Sequence, residues 1–399
     1  MVRILQVYNQ QRSVHGGEEA VVNATLALLR RRGHDARLAL KSSRGIEASV
    51  WRKAIAATTG FYNPFAGAEI ARLVRDFRPA VLHAHNIFPD WSPAIFGAAK
   101  RAGVATVMSV HSQILTCPTW YHLRDGKICE ECVGGREHRC IVNRCRESIA
   151  ESVVYAGRAF LVRASGILLR DVDAFVAVSA FMRDRLVIAG IPANRIVVAP
   201  NAIAWPDPPA TPARNHYVAY AGRLSPEKGL DTLQAVARRL PDIPFKCAGD
   251  GHMSAALRQK APSNLDCVGY LDAAALAAFL RNARAVLVPS IAYETFSLAT
   301  LEAMSHGVPV VASAIGAIPE LVGEEAGLLF AAGDAEAAAE RIVRLWNDDA
   351  LCAALGRAAR RRAAAYSEDA QYERLIIAYR TAARRARDGI IKEEPSHAI

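Results

Sequence analysis

Two glutamates in a mostly apolar segment have the residue type and spacing to hold hydroxyl groups. Residues 293–311 read YETFSLATLEAMSHGVPVV, with Glu294 and Glu302 eight positions apart. A carboxylate in apolar surroundings is costly unless it has a partner. Because a carboxylate can accept two hydroxyl hydrogen bonds, a sugar or a ribose would be a suitable partner. The spacing alone also fits an acidic residue at a helix start followed by an ordinary helical glutamate.

The elements around these glutamates are predicted to place both near a helix start. ARAVLVPS predicts a strand, IAYETF a loop, and Ser297 the N-cap of a helix from about Leu298 to His306, with Gly307 as its stop. Glu294 then lies in the loop and Glu302 about one and a half turns into the helix. The free N–H groups and partial positive charge of the helix start suit a phosphate.

A second segment, YAGRLSPEKGLDTL, carries two cations between a predicted strand and a predicted helix. Arg223 and Lys228 flank the helix start, where a guanidinium fork and an ammonium point charge would bind a diphosphate. The alternative is a pair of solvated loop cations. Gly222 lies at the end of this strand, and Gly249 in CAGDGHM follows the next strand, although neither loop contains a GxGxxG fingerprint.

A glycine pair lies between the first predicted strand and the first helix, in NQQRSVHGGEE. Without side chains, Gly16 and Gly17 would let the backbone approach a ligand at the helix start. A plain turn is the alternative.

A histidine follows the apolar strand of VMSVHSQ. His111 should therefore lie at the carboxyl end of a strand, where a neutral imidazole can hydrogen-bond a hydroxyl or transfer a proton. The alternative is a structural histidine with satisfied hydrogen bonds. The same two interpretations, functional and structural, apply to His83 and His85 in LHAHN.

Strands and helices alternate along the chain, which predicts βαβ units and parallel sheets. Residues 204–216, AWPDPPATPARNH, contain four prolines and are predicted to be a linker. We predict an α/β fold of two Rossmann-like, doubly wound domains facing each other across a cleft. The predicted parts are an N-terminal domain over 1–203, the linker, a C-terminal domain over 217–365, and a C-terminal helix over 366–399 that packs back on the first domain. Residues 335–365 and 367–387 are each predicted to form one helix.

The composition limits the kinds of partner and location that are expected for this protein. Of 399 residues, 52% are hydrophobic and the formal net charge is +10. The charge favours anionic partners such as nucleic acid, acidic lipid or phosphate-bearing substrates, although arginine-rich solvated helix faces also explain it. Because nucleic-acid-binding motifs are missing, no nucleic-acid partner is expected. The start, MVRILQVYNQ, does not fit a signal peptide, and no apolar run reaches 18 residues, so we expect a cytoplasmic location.

Together, these segments resemble the family-4 retaining glycosyltransferases of the GT-B fold, over nearly the whole chain. The strongest part is the Glu-x7-Glu element within PSIAYETFSLATLEAMSHGVPVVAS, supported by AGRLSPEKGLD, IGAIPELV, VVAPN and HGGEE. The resemblance implies a hexosyltransferase-type enzyme (EC 2.4) with a UDP- or GDP-sugar donor and no cofactor needed for catalysis. It implies a saccharide or lipid-linked acceptor in polysaccharide or glycolipid biosynthesis. An enzyme like sucrose- or sugar-phosphate synthase with a small soluble acceptor, and a non-catalytic anion- or RNA-binding scaffold, are the alternatives.

The resemblance also implies roles for single residues. Arg223 and Lys228 would hold the donor diphosphate. Glu302 would accept the ribose hydroxyls, while Glu294 and His111 would contact the transferred sugar. The other positions implied to approach the donor are Phe296, Ser297, Leu298, Gly16, Gly17, Gly222 and Gly249.

One of these positions departs from the family pattern. Ser297 stands where the family usually has glycine in the E-x-F-G-L sequence. Its hydroxyl would either crowd the diphosphate or add a hydrogen-bond donor to it.

Five of the eight cysteines fall within residues 117–145, which we interpret as an insertion in the N-terminal domain. Since cytoplasmic disulfides are rare, a tetrahedral structural zinc site is one explanation, and thiols packed inside a loop are the other. The predicted zinc ligands are Cys129, Cys132, Cys140 and Cys145, with Cys117 as a substitute.

Residues 146–170 form an apolar stretch that contains Arg158, Arg163 and Arg170. Such a segment can lie on an acidic membrane face, which would place the protein peripherally at the inner face of the cell membrane. An ordinary core helix is the alternative.

Overall fold

The computed structural model describes residues 1–10, 17–43, 60–203, 205–206, 209–212 and 216–393, and side chains up to residue 387. The chain divides into two units. The first contains Met1–Trp120, Glu130–Pro200 and Gln371–Ile399, and the second contains Tyr121–Cys129 and Asn201–Ala370. Part of the predicted linker, including residues 207–208 and 213–215, lies outside the described residues.

The first unit is built on a six-stranded parallel sheet in the order β2-β1-β3-β4-β7-β8. Its strands are β1 (Arg3–Gln10), β2 (Asp35–Ser42), β3 (Val81–Ala84), β4 (Ala105–Val110), β7 (Ala174–Ala177) and β8 (Ile196–Val198). β3 and β4 are buried along their whole length, as expected for a parallel sheet covered on both faces.

Helices cover this sheet, and local sequence determines their ends. They are α1 (Gly17–Arg31), α2 (Pro64–Phe77), α3 (Ala94–Arg101), α4 (His138–Val142), α5 (Ile149–Ala164), α6 (Ile167–Asp171) and α7 (Ala180–Ile188). At the start of α2, the Asn63 side chain accepts the N–H groups of Phe65 and Ala66, and Pro64 occupies the first helical position. The core of this unit includes Ile4, Val81, Val107 and Val176 together with Leu375, Ala378, Tyr379 and Ala382.

The second unit is built on another six-stranded parallel sheet, in the order β11-β10-β9-β12-β13-β14. Its strands are β9 (Val218–Ala221), β10 (Phe245–Ala248), β11 (Leu265–Gly269), β12 (Ala285–Val288), β13 (Val310–Ser313) and β14 (Gly327–Phe330). A small antiparallel hairpin, β5 (Leu123–Arg124) with β6 (Lys127–Ile128), also belongs to this unit. The strand order reverses between β9 and β12, which is the point where doubly wound sheets bind ligands.

The remaining helices follow these strands. They are α8 (Leu230–Arg239), α9 (Ser254–Lys260), α10 (Ala273–Arg281), α11 (Leu298–Ser305), α12 (Ile318–Val322), α13 (Ala335–Asn347), α14 (Asp349–Ala363) and α15 (Glu368–Glu393). The prediction of one helix over 335–365 is wrong, because the segment forms two helices, α13 and α14, that are separated at Asp348. Asp348 adopts an extended conformation there, and its side chain accepts the N–H of Leu351 at 2.8 Å, so it caps a new helix.

Candidate functional site

The loops that follow β9 and β12 bring an ion pair together in the second unit. The Lys228 ammonium lies 2.7 Å from Oε1 of Glu294. Ser290, just after β12, donates its hydroxyl to the same oxygen at 2.5 Å. Because β9 and β12 are neighbours where the strand order reverses, these side chains lie at the predicted ligand position of the sheet.

This ion pair determines the charge of the Glu294 carboxyl. Burial alone would raise its pKa, since a carboxylate is poorly solvated there. The Lys228 ammonium and the hydrogen bonds from Lys228 and Ser290 outweigh burial, so the pKa of Glu294 is lowered. Glu294 is therefore an ionised hydrogen-bond acceptor at neutral pH.

Arg223 is held by a second carboxylate that the sequence analysis did not single out. Nη2 of Arg223 lies 3.1 Å from Oε1 of Glu227, which also accepts the Ser225 hydroxyl at 2.7 Å. The backbone carbonyl of Glu227 accepts the N–H of Ile291 at 3.0 Å, which joins the loop after β9 to the loop after β12. The sequence signal for this ion pair is the position of Glu227, four residues after Arg223.

Glycines permit the close packing of these loops. Gly249 has a φ of 145°, and a Cβ there would collide with the carbonyl of Gly222. Gly229 has a φ of 70°, and a Cβ there would collide with the carbonyl of Pro289. Packing of one loop on another therefore explains Gly249, whereas a Cβ at Gly222 would meet only the Tyr220 side chain. The contact of either glycine with a donor stays a prediction.

The second predicted glutamate lies in a different environment from the first. Glu302 is in α11, and burial raises the pKa of its carboxyl to about 7. Among the residues that the structure describes, no cation forms an ion pair with it. A partly buried carboxyl without a cation is suited to hydroxyl groups, which can hydrogen-bond either of its protonation states.

The start of α11 corrects the prediction for Ser297. The helix does begin at Leu298, but the Ser297 side chain makes no capping hydrogen bond to the backbone. Its hydroxyl instead pairs with the Thr300 hydroxyl at 2.7 Å, because the backbone at Ser297 is not in the extended conformation of an ordinary N-cap. The Phe296 ring is buried and lies edge-on against Tyr366, with ring centroids 5.7 Å apart. The helix ends at Ser305, and Gly307 follows with a φ of 77°.

Three histidines lie at the carboxyl ends of β3 and β4 in the first unit. Nδ1 of His85 is 3.0 Å from Nε2 of His111, and their rings are stacked. His83 bonds to the Tyr379 hydroxyl at 2.9 Å and to the Ser109 hydroxyl at 2.8 Å. Burial lowers the pKa of His111 to about 4 and that of His83 to about 3, the latter with a smaller contribution from His111. All three imidazoles are therefore neutral at neutral pH, since the pKa of His85 is also lowered well below its usual value by burial and by the two other histidines.

The predicted glycine pair is described only in part. Gly17 is the first residue of α1. Gly16 lies outside the described residues.

The cysteine-rich segment contains a buried thiol surrounded by other thiols. Cys140 is fully buried, and burial, followed by the neighbouring thiols of Cys145, Cys132 and Cys117, raises its pKa to about 12. Across the described ranges, no group of three or more histidine, cysteine, aspartate or glutamate side chains is arranged to hold a metal ion. The cysteines as placed do not fit the predicted zinc site, and zinc stays a prediction.

The arginines of residues 146–170 are engaged within the protein. Arg158 donates to the carbonyl of Pro118 at 3.1 Å and contacts three aromatic rings. Arg163 pairs with Glu137, and Arg170 pairs with Asp171. In the part of the chain that the structure describes, no helix is long and apolar enough to cross a membrane.

Comparison with known proteins relates both halves of the chain to sugar transfer. Residues 215–348 match the model of glycosyl transferases group 1, and residues 15–204 match that of glycosyltransferase family 4. Glycogen synthase of Mycobacterium tuberculosis is 32% identical over 320 residues, which are 74% of this chain and 68% of that protein. Other curated glycosyltransferases and an exopolysaccharide phosphotransferase match over only 21–43% of their own length.

Solved structures share the fold. Sucrose-phosphate synthase from Thermosynechococcus elongatus superposes with a TM-score of 0.71 at 19% identity, covering 95% of this chain and 98% of that chain. HepE of Anabaena in complex with UDP and glucose has a TM-score of 0.68 at 18% identity, covering 94% of this chain and 98% of that chain. The predicted fold class, two doubly wound α/β domains of the GT-B type, is confirmed.

Proposed function

Because this chain belongs to the group 1 glycosyltransferases, with a family 4 domain in its N-terminal half, we propose that it is a retaining hexosyltransferase. The donor is a nucleoside diphosphate sugar, with UDP- and GDP-sugars as the first candidates. The acceptor is a saccharide or a lipid-linked saccharide of polysaccharide or glycolipid biosynthesis.

The arrangement of charge around Glu294 is the observation that carries this proposal. Lys228 lies 2.7 Å from Glu294 at the edge of the sheet where β9 and β12 end. Arg223, on the same loop as Lys228, is about one-third exposed and is held by Glu227. A diphosphate bound at this edge would meet both cations, and ionised Glu294 would accept hydroxyl groups of the sugar attached to it.

The same charges explain how the leaving group is stabilised. Departure of the nucleoside diphosphate develops negative charge on a phosphate oxygen, which Arg223, Lys228 and the N–H groups at the start of α11 stabilise. Glu294 is occupied by its ion pair and serves as a hydroxyl acceptor, not as a nucleophile. The departing phosphate takes the proton of the acceptor hydroxyl, and the protein's cations stabilise the charge that remains on it.

Glu302 binds the ribose of the donor in this proposal. Its carboxyl has a pKa raised to about 7 by burial. Two ribose hydroxyls would replace the water that this carboxyl loses on burial, and their hydrogen bonds therefore strengthen donor binding. His111, which is neutral, hydrogen-bonds a hydroxyl of the transferred sugar.

An exposed apolar face of α5 supports contact with a membrane that carries the acceptor. Ile149, Val153 and Phe160 are 51%, 46% and 50% exposed. At about 100° per residue, these three side chains lie within roughly 40° of one another around the helix. Arg158, Arg163 and Arg170 pair within the protein, so the apolar face is proposed to provide the main attraction to lipid.

A thermal-shift screen tests the donor assignment. The purified chain is heated with UDP-, GDP- and ADP-sugars, each at several concentrations. A donor that binds the folded chain raises Tm with concentration, and the nucleotide with the largest rise identifies the base. The same donor is then supplied with saccharide and lipid-linked acceptors, and the anomeric configuration of the product is read by NMR. Absence of a shift with every nucleotide sugar would contradict the proposal.

Vesicle flotation tests the membrane contact. Val153→Glu and Phe160→Glu should each reduce recovery with anionic vesicles several-fold. Ile377→Glu is the matched control, because Ile377 is also 51% exposed but lies on α15. Equal flotation of all three variants and the wild type would remove the α5 face from the proposal.

A further inference from the structure

A cavity of about 550 Å³ lies in the second unit, away from the loops that follow β9 and β12. Its walls come from Trp205 and residues 209–212 of the predicted linker, from Gly307 after α11, and from α14 with Ala364. Cavities of this size hold small-molecule ligands in other proteins. None of the candidate donor-binding residues lines it, so the cavity is a separate candidate site.

Close packing of backbone fixes one wall of this cavity. Pro212, Gly307 and Gly356 are all buried there. A Cβ at Gly356 would collide with the carbonyl of Gly307 and would lie 3.2 Å from Cγ of Pro212. The N–H of Ala210 donates to the carbonyl of His306 at 2.7 Å, which anchors the linker segment beside this wall. The wall is therefore formed before any ligand binds.

Most of the lining offers no side-chain hydrogen bond. Seven of the twelve lining residues are glycine, alanine or proline. A ligand covered with hydroxyl groups would lose water in such a cavity without gaining partners for those groups, which is costly. An apolar chain loses no hydrogen bond there. The lining therefore favours a ligand with an apolar body.

Three arginines of α14 supply the charge of the cavity. Arg357, Arg360 and Arg361 all line it. The Arg360 guanidinium donates to the carbonyl of Ser305 at 3.0 Å and lies 4.7 Å from the centroid of the Trp205 ring. These contacts hold Arg360 in place against the indole.

The other two arginines have no acidic partner within the part of the chain that the structure describes. Arg357 and Arg361 are exposed and lie four positions apart, a spacing at which like charges on a helix repel each other. Arg357 comes before the last turn of α14, so the preference of helix ends for cations does not explain it. An anion in the cavity would pair with both, since a guanidinium fork fits a phosphate or a carboxylate.

We infer that this cavity binds a small anionic amphiphile, a single apolar chain that ends in a phosphate or a carboxylate. The chain packs against the apolar wall, and the anionic end meets Arg357, Arg360 and Arg361. The site is separate from the proposed donor site and does not rest on the proposed function. Failure of either assignment therefore leaves the other intact.

Titration of the full chain with alkyl phosphates tests both parts of this ligand. Butyl, hexyl and octyl phosphate are used below their critical micelle concentrations, and inorganic phosphate and octanol serve as probes that each lack one part. Affinity should rise by up to roughly fourfold for each added methylene that is buried. Octanol and inorganic phosphate should each bind at least about tenfold more weakly than octyl phosphate. Affinity that does not depend on chain length, or equal binding of octanol, would overturn the inference.

Substitutions locate the binding within the chain. Because Arg357 and Arg361 are exposed, the double variant Arg357→Gln/Arg361→Gln should fold normally and bind octyl phosphate at least about tenfold more weakly. Arg344→Gln is the matched control, since Arg344 is an exposed arginine of α13 that does not line the cavity. Arg223→Ala should also bind octyl phosphate normally. Unchanged binding in the double variant, or loss of binding in Arg223→Ala, would overturn the inference.

Trp205 provides a signal from the cavity itself. Octyl phosphate should change the tryptophan emission of the wild type, because the indole of Trp205 lines the cavity and is 47% exposed without a ligand. Trp205→Phe should lose most of this change. An equal change in the wild type and in Trp205→Phe would place the ligand elsewhere and overturn the inference.

Discussion

The candidate site residues of the two units differ in how burial acts on their charge. In the second unit, Lys228 and Ser290 compensate Glu294 and keep it ionised. In the first unit, His85 and His111 bond to each other, and burial lowers the pKa of both and keeps them uncharged. Cations suit a diphosphate, whereas a neutral N–H suits a sugar hydroxyl. Burial is therefore compensated by a cation at Glu294 in the second unit and by loss of charge at the histidines in the first.

The largest expected effect comes from removing the charge of Glu294. Glu294→Gln retains the size of the side chain but leaves the Lys228 ammonium without its carboxylate. We expect transfer to fall at least about 100-fold, since one electrostatic contact to the reacting groups has that size of effect. Product formation under donor saturation measures it, with circular dichroism to confirm the fold. Activity within threefold of the wild type would remove Glu294 from the site.

Removal of Lys228 should affect stability as well as donor binding. Lys228→Ala leaves the buried Glu294 carboxylate without its cation, which should cost about 3 kcal/mol of the free energy of unfolding. Arg223→Ala is the matched variant. Arg223 is 35% exposed against 26% for Lys228, and the partner carboxylates are both 12% exposed, so its loss should cost a similar or somewhat smaller amount of stability while also lowering transfer. Urea unfolding and donor titration of both variants measure the two effects, and unchanged stability in Lys228→Ala would contradict the role of Lys228 as the partner of a buried carboxylate.

The pH dependence of stability should distinguish the two glutamates. Burial raises the pKa of Glu302 to about 7, so the folded state binds a proton there that the unfolded state has released. The contribution of this proton to the free energy of unfolding is present in full below the usual carboxyl pKa and is lost as the pH rises through about 7. The contribution of Glu294 to stability depends on pH in the opposite direction, because its pKa is lowered. Its contribution is present above the usual carboxyl range and is lost as the pH falls below it.

Urea unfolding of Glu302→Gln and the wild type between pH 4.5 and pH 8 measures this contribution. The difference in unfolding free energy between the two should change steadily across the window, as the wild type loses stability with rising pH relative to the variant. A difference that does not change with pH would show that the carboxyl titrates normally.

The smallest expected effect is that of restoring the family glycine. The Ser297 hydroxyl bonds to Thr300, so it is already occupied within α11. We therefore expect Ser297→Gly to change kcat/KM for the donor by less than about threefold, because one neutral hydrogen bond contributes little net free energy. A tenfold change in either direction would indicate that the hydroxyl contacts the diphosphate.

Much of the fold could be predicted from sequence because strand and helix patterns alternate strongly. The runs AVLHAHN and ATVMSVHS are short and apolar, as strands buried on both faces must be, and they form β3 and β4. The break at Asp348 was missed because the apolar pattern on either side is helical. Only the N-cap chemistry of one aspartate marks the boundary.

The site was predictable in its residue types but not in its pairing. Lys228 and Glu294 are 66 positions apart, and only the order of the strands brings them together. Glu227 was missed because its role depends on a backbone contact to the loop after β12. The same limit applies to His85 and His111, since their hydrogen bond requires β3 and β4 to be neighbours in the sheet. With the family established, the alternative of a non-catalytic scaffold is replaced by an enzyme.

Calorimetric titration of the wild type with UDP and with GDP tests the central claim most directly. The claim is that the loops after β9 and β12 bind the diphosphate of the donor through Arg223 and Lys228. We expect one nucleotide to bind at a single site and Arg223→Ala to weaken that binding at least about tenfold, the loss of a charge-assisted hydrogen bond. Binding of the nucleotide with equal affinity to Arg223→Ala and the wild type would contradict the claim.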